Sequence, residues 1–428
     1  MSEPMKETGR GFAGFHLAPL VQRGITAAGF VDPRPIQTET IPAALEGRDI
    51  LGLAQTGTGK TAAFALPILQ RLLSARRKSA GPRVLIMAPT RELASQISEE
   101  LRTLARFTSI QVATVFGGVS FHAQTNALRK RPEIVVACPG RLLDLLNRRT
   151  LRLDEVEILV LDEADHMFDM GFLPDINRII ALLAEDRQNL LFSATMPKEI
   201  RRLANELLQD PHVVELDHTR PLETIEHAFY PVEEGRKLDL LQHVLSMDDF
   251  VSAIVFTRTK HRAKRLAQKL DRAGHKAVAL QGNMSQGARV RAMDGFRKRT
   301  YNVLVATDIA ARGLDIQHVS HVVNYDIPNT TDAYTHRIGR TGRAERDGKA
   351  YTFVTADDQE MARQVERRIG STIPRCRVDG IESIPLPLET RGATSHRPRT
   401  RARNRPRAGT GVRGGTRPGA RAGRRAQR

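Results

Sequence analysis

Short aliphatic runs end in polar turns along this chain, and each is followed by about a dozen residues whose apolar positions fall near a 3.6 spacing. In "RVLIMAPTRELASQISEELRTLA", Val84–Met87 reads as a strand, "APTR" as its turn, and the rest as an amphipathic helix. The rhythm returns in "DILGLAQTGTGKTAAFALPILQRLL", "IVVACPGRLLDLL" and "VEILVLDEADHMF". Such repetition predicts a parallel sheet with helices on both faces. After about Asp217 it pauses, and the proline-punctuated "HTRPLETIEHAFYPV" reads as a linker into the next domain. A second series follows in "SAIVFTRTKHRAKRLAQKL", "KAVALQGN", "YNVLVATDIA" and "HVVNYDIP". The pattern predicts an α/β chain with domains at residues 12–217 and 226–385, a linker at 218–225 and a tail at 386–428.

Length agrees, since 428 residues are long for one core and comfortable for two. Charge is more informative. The net +18 is concentrated in the tail, where residues 391–428 hold 13 arginines and neither lysine nor acid. Taking those 13 from the 66 Lys and Arg leaves 53 against 48 Asp and Glu, a body charge of +5. With Gly and Pro between the arginines, the tail cannot bury enough apolar surface to fold alone. Its one-sided basicity points to an anionic polymer as partner.

Cys138 and Cys376 cannot make a disulfide framework and suit a reducing compartment. No apolar run approaches the roughly 20 residues needed to cross a bilayer, so no membrane association is expected. The N-terminal "MSEPMKETGRGFAGF" lacks the apolar core of a signal peptide. The expected location is the cytoplasm.

"AQTGTGKT", Ala54 to Thr61, matches the G-x-x-x-x-G-K-[ST] phosphate loop once Ala54 is accepted for the first glycine. Gln55, Thr56, Gly57, Thr58 and Gly59 form the turn. Its glycines let the backbone curl so that N–H groups point inward, and the following helix adds its positive end. Lys60 can reach the β/γ-phosphates, and the Thr61 hydroxyl can ligate Mg²⁺. Asp162 ends the strand "EILVL" and can hold the same metal through water. Glu163, the next residue, points elsewhere and can polarise a water for in-line attack on the γ-phosphate. Asp165 is expected to connect to the other domain. The bland alternative for this acidic run is a charged helix N-terminus. In "HRIGRTGR", Arg337, Arg340 and Arg343 recur every third residue and can share one face of a helix or tight turn. Meeting the first domain, such a face would bring guanidinium groups to the transferring phosphoryl group.

These motifs, ordered along residues 12–385, resemble the DEAD-box ATP-dependent RNA helicases, especially compact bacterial members with basic tails. The resemblance implies two tandem RecA-like domains, ATP and Mg²⁺ as cofactors, and RNA as partner. Within "GFVDPRPIQ", Gln37 would read the adenine edge, and Phe12 would stack on the base, with Phe15 its rival. The family usually carries Thr where this chain has Arg34. Pro89, Thr90, Arg91, Gly117, Gly118, Gly140 and Arg141 would line the RNA path in the first domain, the glycines allowing close backbone approach. Cys138 stands where Thr is usual and loses a hydroxyl. In the second domain Thr257, Arg258, Gln286, Arg289 and Thr307 would meet RNA. Ser193 and Thr195 would link the acidic motif to closure, Asp308 and Arg312 would organise the interface, Asp315 would contact the ribose, and His336 would couple to the acidic motif. Arg340 and Arg343 would reach the γ-phosphate.

The resemblance also implies sequence-independent contact with single-stranded RNA or short duplexes, which would be pried apart locally. Proteins of ribosome assembly or RNA decay are the partners to expect. An ATP-gated RNA clamp is the alternative role, and a DNA-directed helicase a more distant one.

Overall fold

The computed structural model describes residues 11–55, 57–75, 79–216, 225–311, 319–341 and 348–384. Seven strands form the first sheet: β1 Ile50–Leu53, β2 Val84–Met87, β3 Val112–Val115, β4 Ile134–Ala137, β5 Ile158–Leu161, β6 Gln188–Ser193 and β7 His212–Glu215. Their order is β3-β4-β2-β5-β6-β1-β7, with every pair parallel. The second sheet holds β8 Ile225–Pro231, β9 Ala253–Phe256, β10 Ala277–Leu280, β11 Val303–Ala306, β12 His321–Asn324 and β13 Gly348–Val354. It runs β10-β11-β9-β12-β13-β8, again wholly parallel. These are the two tandem RecA-like α/β domains.

Side chains alternate across a strand, so each sheet feeds two cores. Val84 and Ile86 of β2 pack on one face with the helices Pro19–Ala27 and Lys60–Ser74. Leu85 and Met87 pack on the other with Leu142 and Ile176. β2, β4 and β5 are buried throughout, which is why they read as unbroken aliphatic runs rather than alternating ones. Full burial of each such side chain contributes about 1.5–3 kcal/mol. Gly52 of β1 is required by packing, because a Cβ there would lie 2.4 Å from the Phe192 ring.

The second domain begins earlier than the sequence pattern indicates. Ile225, expected in the linker, opens β8, and "IEHAFYP" is a strand rather than a connector. Its proline sits at the last position of an edge strand, where no ladder hydrogen bond need be lost. The remaining linker residues 218–224 and the tail 386–428 lie outside the described residues. Among the described residues no helix is long and apolar enough to cross a membrane.

Candidate nucleotide and RNA site

The motifs emerge at the carboxyl ends of the strands, where parallel sheets place their ligand crevices. The phosphate loop follows β1, the acidic motif follows β5, and β6 lies between these two strands. Gly57 and Gly59 take φ of +82° and +96°, the left-handed region that glycine enters without strain. Thr58 closes the turn through its hydroxyl on Gln55 O at 2.9 Å. Thr56 lies outside the described residues. Ala54 stays out of the left-handed region and is fully buried against Ile36, Ala63 and Val214. An alanine in the first glycine position is therefore accommodated.

Lys60 begins the helix Lys60–Ser74. Its ammonium donates to Ala54 O at 2.9 Å and lies 3.8 Å from Asp162 Oδ1. Asp162 Oδ1 also accepts the Glu163 N–H at 3.0 Å. Burial pushes the Asp162 carboxyl up to about 6, the nearby Lys60 charge opposing and Glu163 adding to the rise. Glu163 is held at φ +53° as the first turn of Ala164–Asp169 opens, and this aims its side chain away from that of Asp162. Burial alone would raise its carboxyl. The hydrogen bond from His166 and the charges of His166, Lys60 and Arg340 overcome that and bring it to about 2. Two adjacent carboxylates are thus driven in opposite directions. His166, three residues on, was not singled out from the sequence; its Nδ1 lies 3.2 Å from Glu163 Oε2. The three-residue helical spacing from Glu163 was the available signal.

A cleft of about 570 Å³ joins these groups. Gln37, Gly59, Lys60, Thr61 and Glu163 line it from the first domain, and Arg340 from the second. Gln37 is buried, with Oε1 accepting the Arg34 N–H at 2.8 Å and Nε2 donating to Gly59 O at 3.1 Å. It ties the base-side segment to the phosphate loop. The stacking expected of Phe12 is not what the structure displays. Phe12 is 4% exposed within the core, edge-on to Phe15 and Phe30, and Phe30 is the aromatic that lines the cleft. Both flank one hydrophobic cluster, so composition alone could not separate them.

The bonds of Asp165 run to Ser193 and Thr195, the residues expected to link the acidic motif to closure. Asp165 Oδ2 accepts from Thr195 N at 2.9 Å and Thr195 Oγ1 at 2.8 Å, and its own N–H donates to Ser193 Oγ at 3.2 Å. The acidic motif is thereby tied to the end of β6 within its own domain. Arg337 and Arg340 do not share one helical face, because the helix Thr331–Ile338 ends before Arg340. Arg337 is buried and turned inward. It grips Asp308 with two bonds of 2.5 and 2.7 Å and donates to Asn324 Oδ1 and Asp326 O. Asp308 is therefore engaged within its own domain. His336 is half-buried on the same helix. Arg312, Asp315 and Arg343 lie outside the described residues.

The residues expected at RNA follow β2, β3, β4, β9, β10 and β11, in different environments. Pro89 is buried, and Thr90 caps the helix Arg91–Leu104, its hydroxyl accepting from Leu93 N at 3.2 Å. Gly118 sits beside the Arg91 guanidinium at φ +77°, the left-handed region that glycine enters without strain. A Cβ at Gly140 would meet nothing within 4 Å. Arg141 donates to Val119 O at 3.3 Å. Cys138 is buried and its thiol is pushed up to about 12, first by burial and then by Glu92, so it stays neutral. Thr257 is buried, whereas the Arg258 side chain is 51% exposed. Gln286 and Thr307 are partly exposed. Arg289 is committed within the protein: it donates to Gln281 O, Ala310 O and, at 2.6 Å, to Glu92 Oε1 of the first domain. Its bond to Glu92 bridges the domains.

Known families and structures agree with this geometry. Residues 34–203 match the DEAD/DEAH box helicase family, and 236–345 the helicase conserved C-terminal domain. The chain is 46% identical over 358 residues to the ATP-dependent RNA helicase CshA of Listeria monocytogenes, covering 83% of this chain and 68% of that one. It is 43% identical to the DEAD-box ATP-dependent RNA helicase CshA of Bacillus subtilis, covering 83% and 72%. Among solved structures, S. cerevisiae Dbp5 bound to RNA and ADP BeF3 superposes with a TM-score of 0.75 at 33% identity, covering 86% of this chain and 96% of that one. A DEAD box protein from the hyperthermophile Methanococcus jannaschii gives 0.50 at 36% identity, covering 86% and 99%. At these identities and over these shares of both chains, the protein belongs to the DEAD/DEAH box helicases and is an ATP-dependent RNA helicase.

Proposed function

We propose that the two domains, the second beginning at Ile225, form one composite site that hydrolyses ATP when single-stranded RNA draws them together. The observation that carries this reading is the presence of Arg340 in the cleft that Lys60 and Glu163 line from the other domain. The Arg289–Glu92 bridge supports it. So does the higher TM-score, 0.75 against 0.50, with Dbp5 bound to RNA and ADP BeF3 than with the Methanococcus jannaschii protein.

In this mechanism the N–H groups around Gly57 and Gly59 and the Lys60 ammonium hold the β/γ-phosphates. Glu163, its carboxyl held low despite burial by His166, Lys60 and Arg340, accepts a hydrogen bond from the attacking water and aligns it. Its contribution is assigned to orientation and charge. Arg340 stabilises charge on the transferring group. Thr61 and Asp162 fit Mg²⁺. Both border the cleft, and a cation that keeps several waters and phosphate oxygens needs only one or two protein oxygens. That ion supplies charge neutralisation at the β/γ-phosphates. RNA contacts are assigned to the exposed members of the motif set, chiefly Arg258, Gly140, Arg141, Gln286 and Thr307. Contacts of this kind to phosphate and sugar leave recognition independent of sequence. The location consistent with this work is the cytoplasm. ATP turnover with and without single-stranded RNA tests the reading: stimulation is expected, and equal rates would sink the composite site.

The arginine tail is assigned as an RNA tether. Removing residues 391–428 is expected to weaken RNA binding at about 0.1 M salt and to lower the slope of log affinity against log salt by several units. Turnover at saturating RNA should change little, because the motifs precede the tail. Superimposable salt lines for full-length and truncated protein would rule the tether out.

A further inference from the structure

Arg34 stands where the resembled family usually carries threonine, and here it touches the phosphate loop. Its Nη1 donates to Gly57 O at 2.6 Å. Its Cδ lies 3.1 Å from where a Cβ on Gly59 would sit, so the stem packs against the turn where Arg34 borders the cleft beside Gln37. Beside it, Gln37 Nε2 donates to Gly59 O at 3.1 Å. The C=O and N–H of one trans peptide unit point in opposite directions. Holding the Gly57 and Gly59 carbonyls toward Arg34 and Gln37 therefore aims the N–H groups of Thr58 and Lys60 away from those side chains. Successive N–H groups turned one way at a helix start make a seat for an anion. A threonine at position 34 carries its hydroxyl on Cβ and lacks the long stem that takes the Arg34 guanidinium to Gly57 O.

We propose that Arg34 is a positioning residue that presets the phosphate loop for a polyphosphate by pinning the Gly57 carbonyl outward. Gln37 pins the neighbouring unit from the base side, so the two residues join base recognition to loop shape. The proposal rests on reading this loop as the nucleotide site. It assigns Arg34 to the phosphates through the loop, and so separates it from the side of the cleft that meets the base. Its effect falls on ligands that fill the loop, such as ADP, and spares AMP, which ends before the β-phosphate seat.

The test measures ADP and AMP affinity, by titration calorimetry on the full chain, for wild type, Arg34→Thr and Arg34→Lys. Arg34→Thr is expected to weaken ADP about 10-fold and AMP by less than about 2-fold, which corresponds to about 1.4 kcal/mol of selective loss. Arg34→Lys keeps a donor on a long stem and is expected to hold ADP affinity within about 3-fold of wild type. Backbone amide exchange in the nucleotide-free protein should speed up over residues 54–61 in Arg34→Thr and not in Arg34→Lys. Arg34 is an exposed residue, so both variants should melt as wild type does. Wild-type ADP affinity in Arg34→Thr would overturn the proposal, as would equal losses of ADP and AMP. A wild-type chain that binds no ADP would overturn the nucleotide reading itself.

Discussion

Glu163→Gln is expected to lower RNA-stimulated ATP turnover by at least about 100-fold, near 2.7 kcal/mol of transition-state stabilisation. ADP and RNA affinities should stay within a few-fold of wild type. Glutamine keeps the side-chain volume and one acceptor oxygen but removes the charge. That charge is well secured in the native site, since His166, Lys60 and Arg340 hold the carboxyl near 2 despite burial. Its loss therefore removes orientation and field at the attacking water. Asp162 keeps its Glu163 N–H contact, which belongs to the backbone and survives the substitution. Single-turnover hydrolysis, with a melting curve to establish that the variant is folded, measures the effect. Turnover near wild type in a folded variant would remove Glu163 from the reaction.

Arg340→Ala is expected to reduce turnover at saturating RNA by at least about 100-fold, the lower end of what an arginine finger supplies. ADP affinity should change little, because the loop, Gln37 and Lys60 all belong to the first domain. Arg340→Lys should recover only part of the rate, since a point charge does not reproduce the planar fork of a guanidinium. The neighbouring Arg337 is the internal comparison. It is buried on Asp308, Asn324 and Asp326, so Arg337→Ala should act first on the melting temperature. If Arg340→Ala retains full stimulation, the charge on the phosphoryl group comes from another donor, and Arg343 becomes the candidate.

The sequence made the sheet legible where strands are buried on both faces, because β2, β4 and β5 appear as unbroken aliphatic runs. It made the phosphate loop legible because two glycines before a Lys–Thr pair have few other uses between a strand and a helix. It was weaker wherever the answer depended on which way a side chain turns. Three arginines at three-residue spacing looked equivalent. A helix ending at Ile338 sends Arg337 into the core and leaves Arg340 at the cleft. Arg289, expected at RNA, is bonded to Glu92, a partner 197 positions away in the chain that no local pattern reveals. Phe12 and Phe30 share one cluster, and only tertiary packing decides which borders the cleft. Ser193 and Thr195, which the resemblance ties to the acidic motif, meet it at Asp165, a contact that no local pattern reveals.

The central claim is that RNA closes a site whose catalytic groups come from two domains. Steady-state ATP turnover with a single-stranded RNA, and with a DNA of the same length and sequence, tests it most directly. The RNA should raise the rate by at least about 10-fold over the DNA, because contacts along the sugar edge can use the 2′-hydroxyl. Equal stimulation by the two strands would contradict RNA as the closing ligand, and a rate indifferent to both would contradict closure itself.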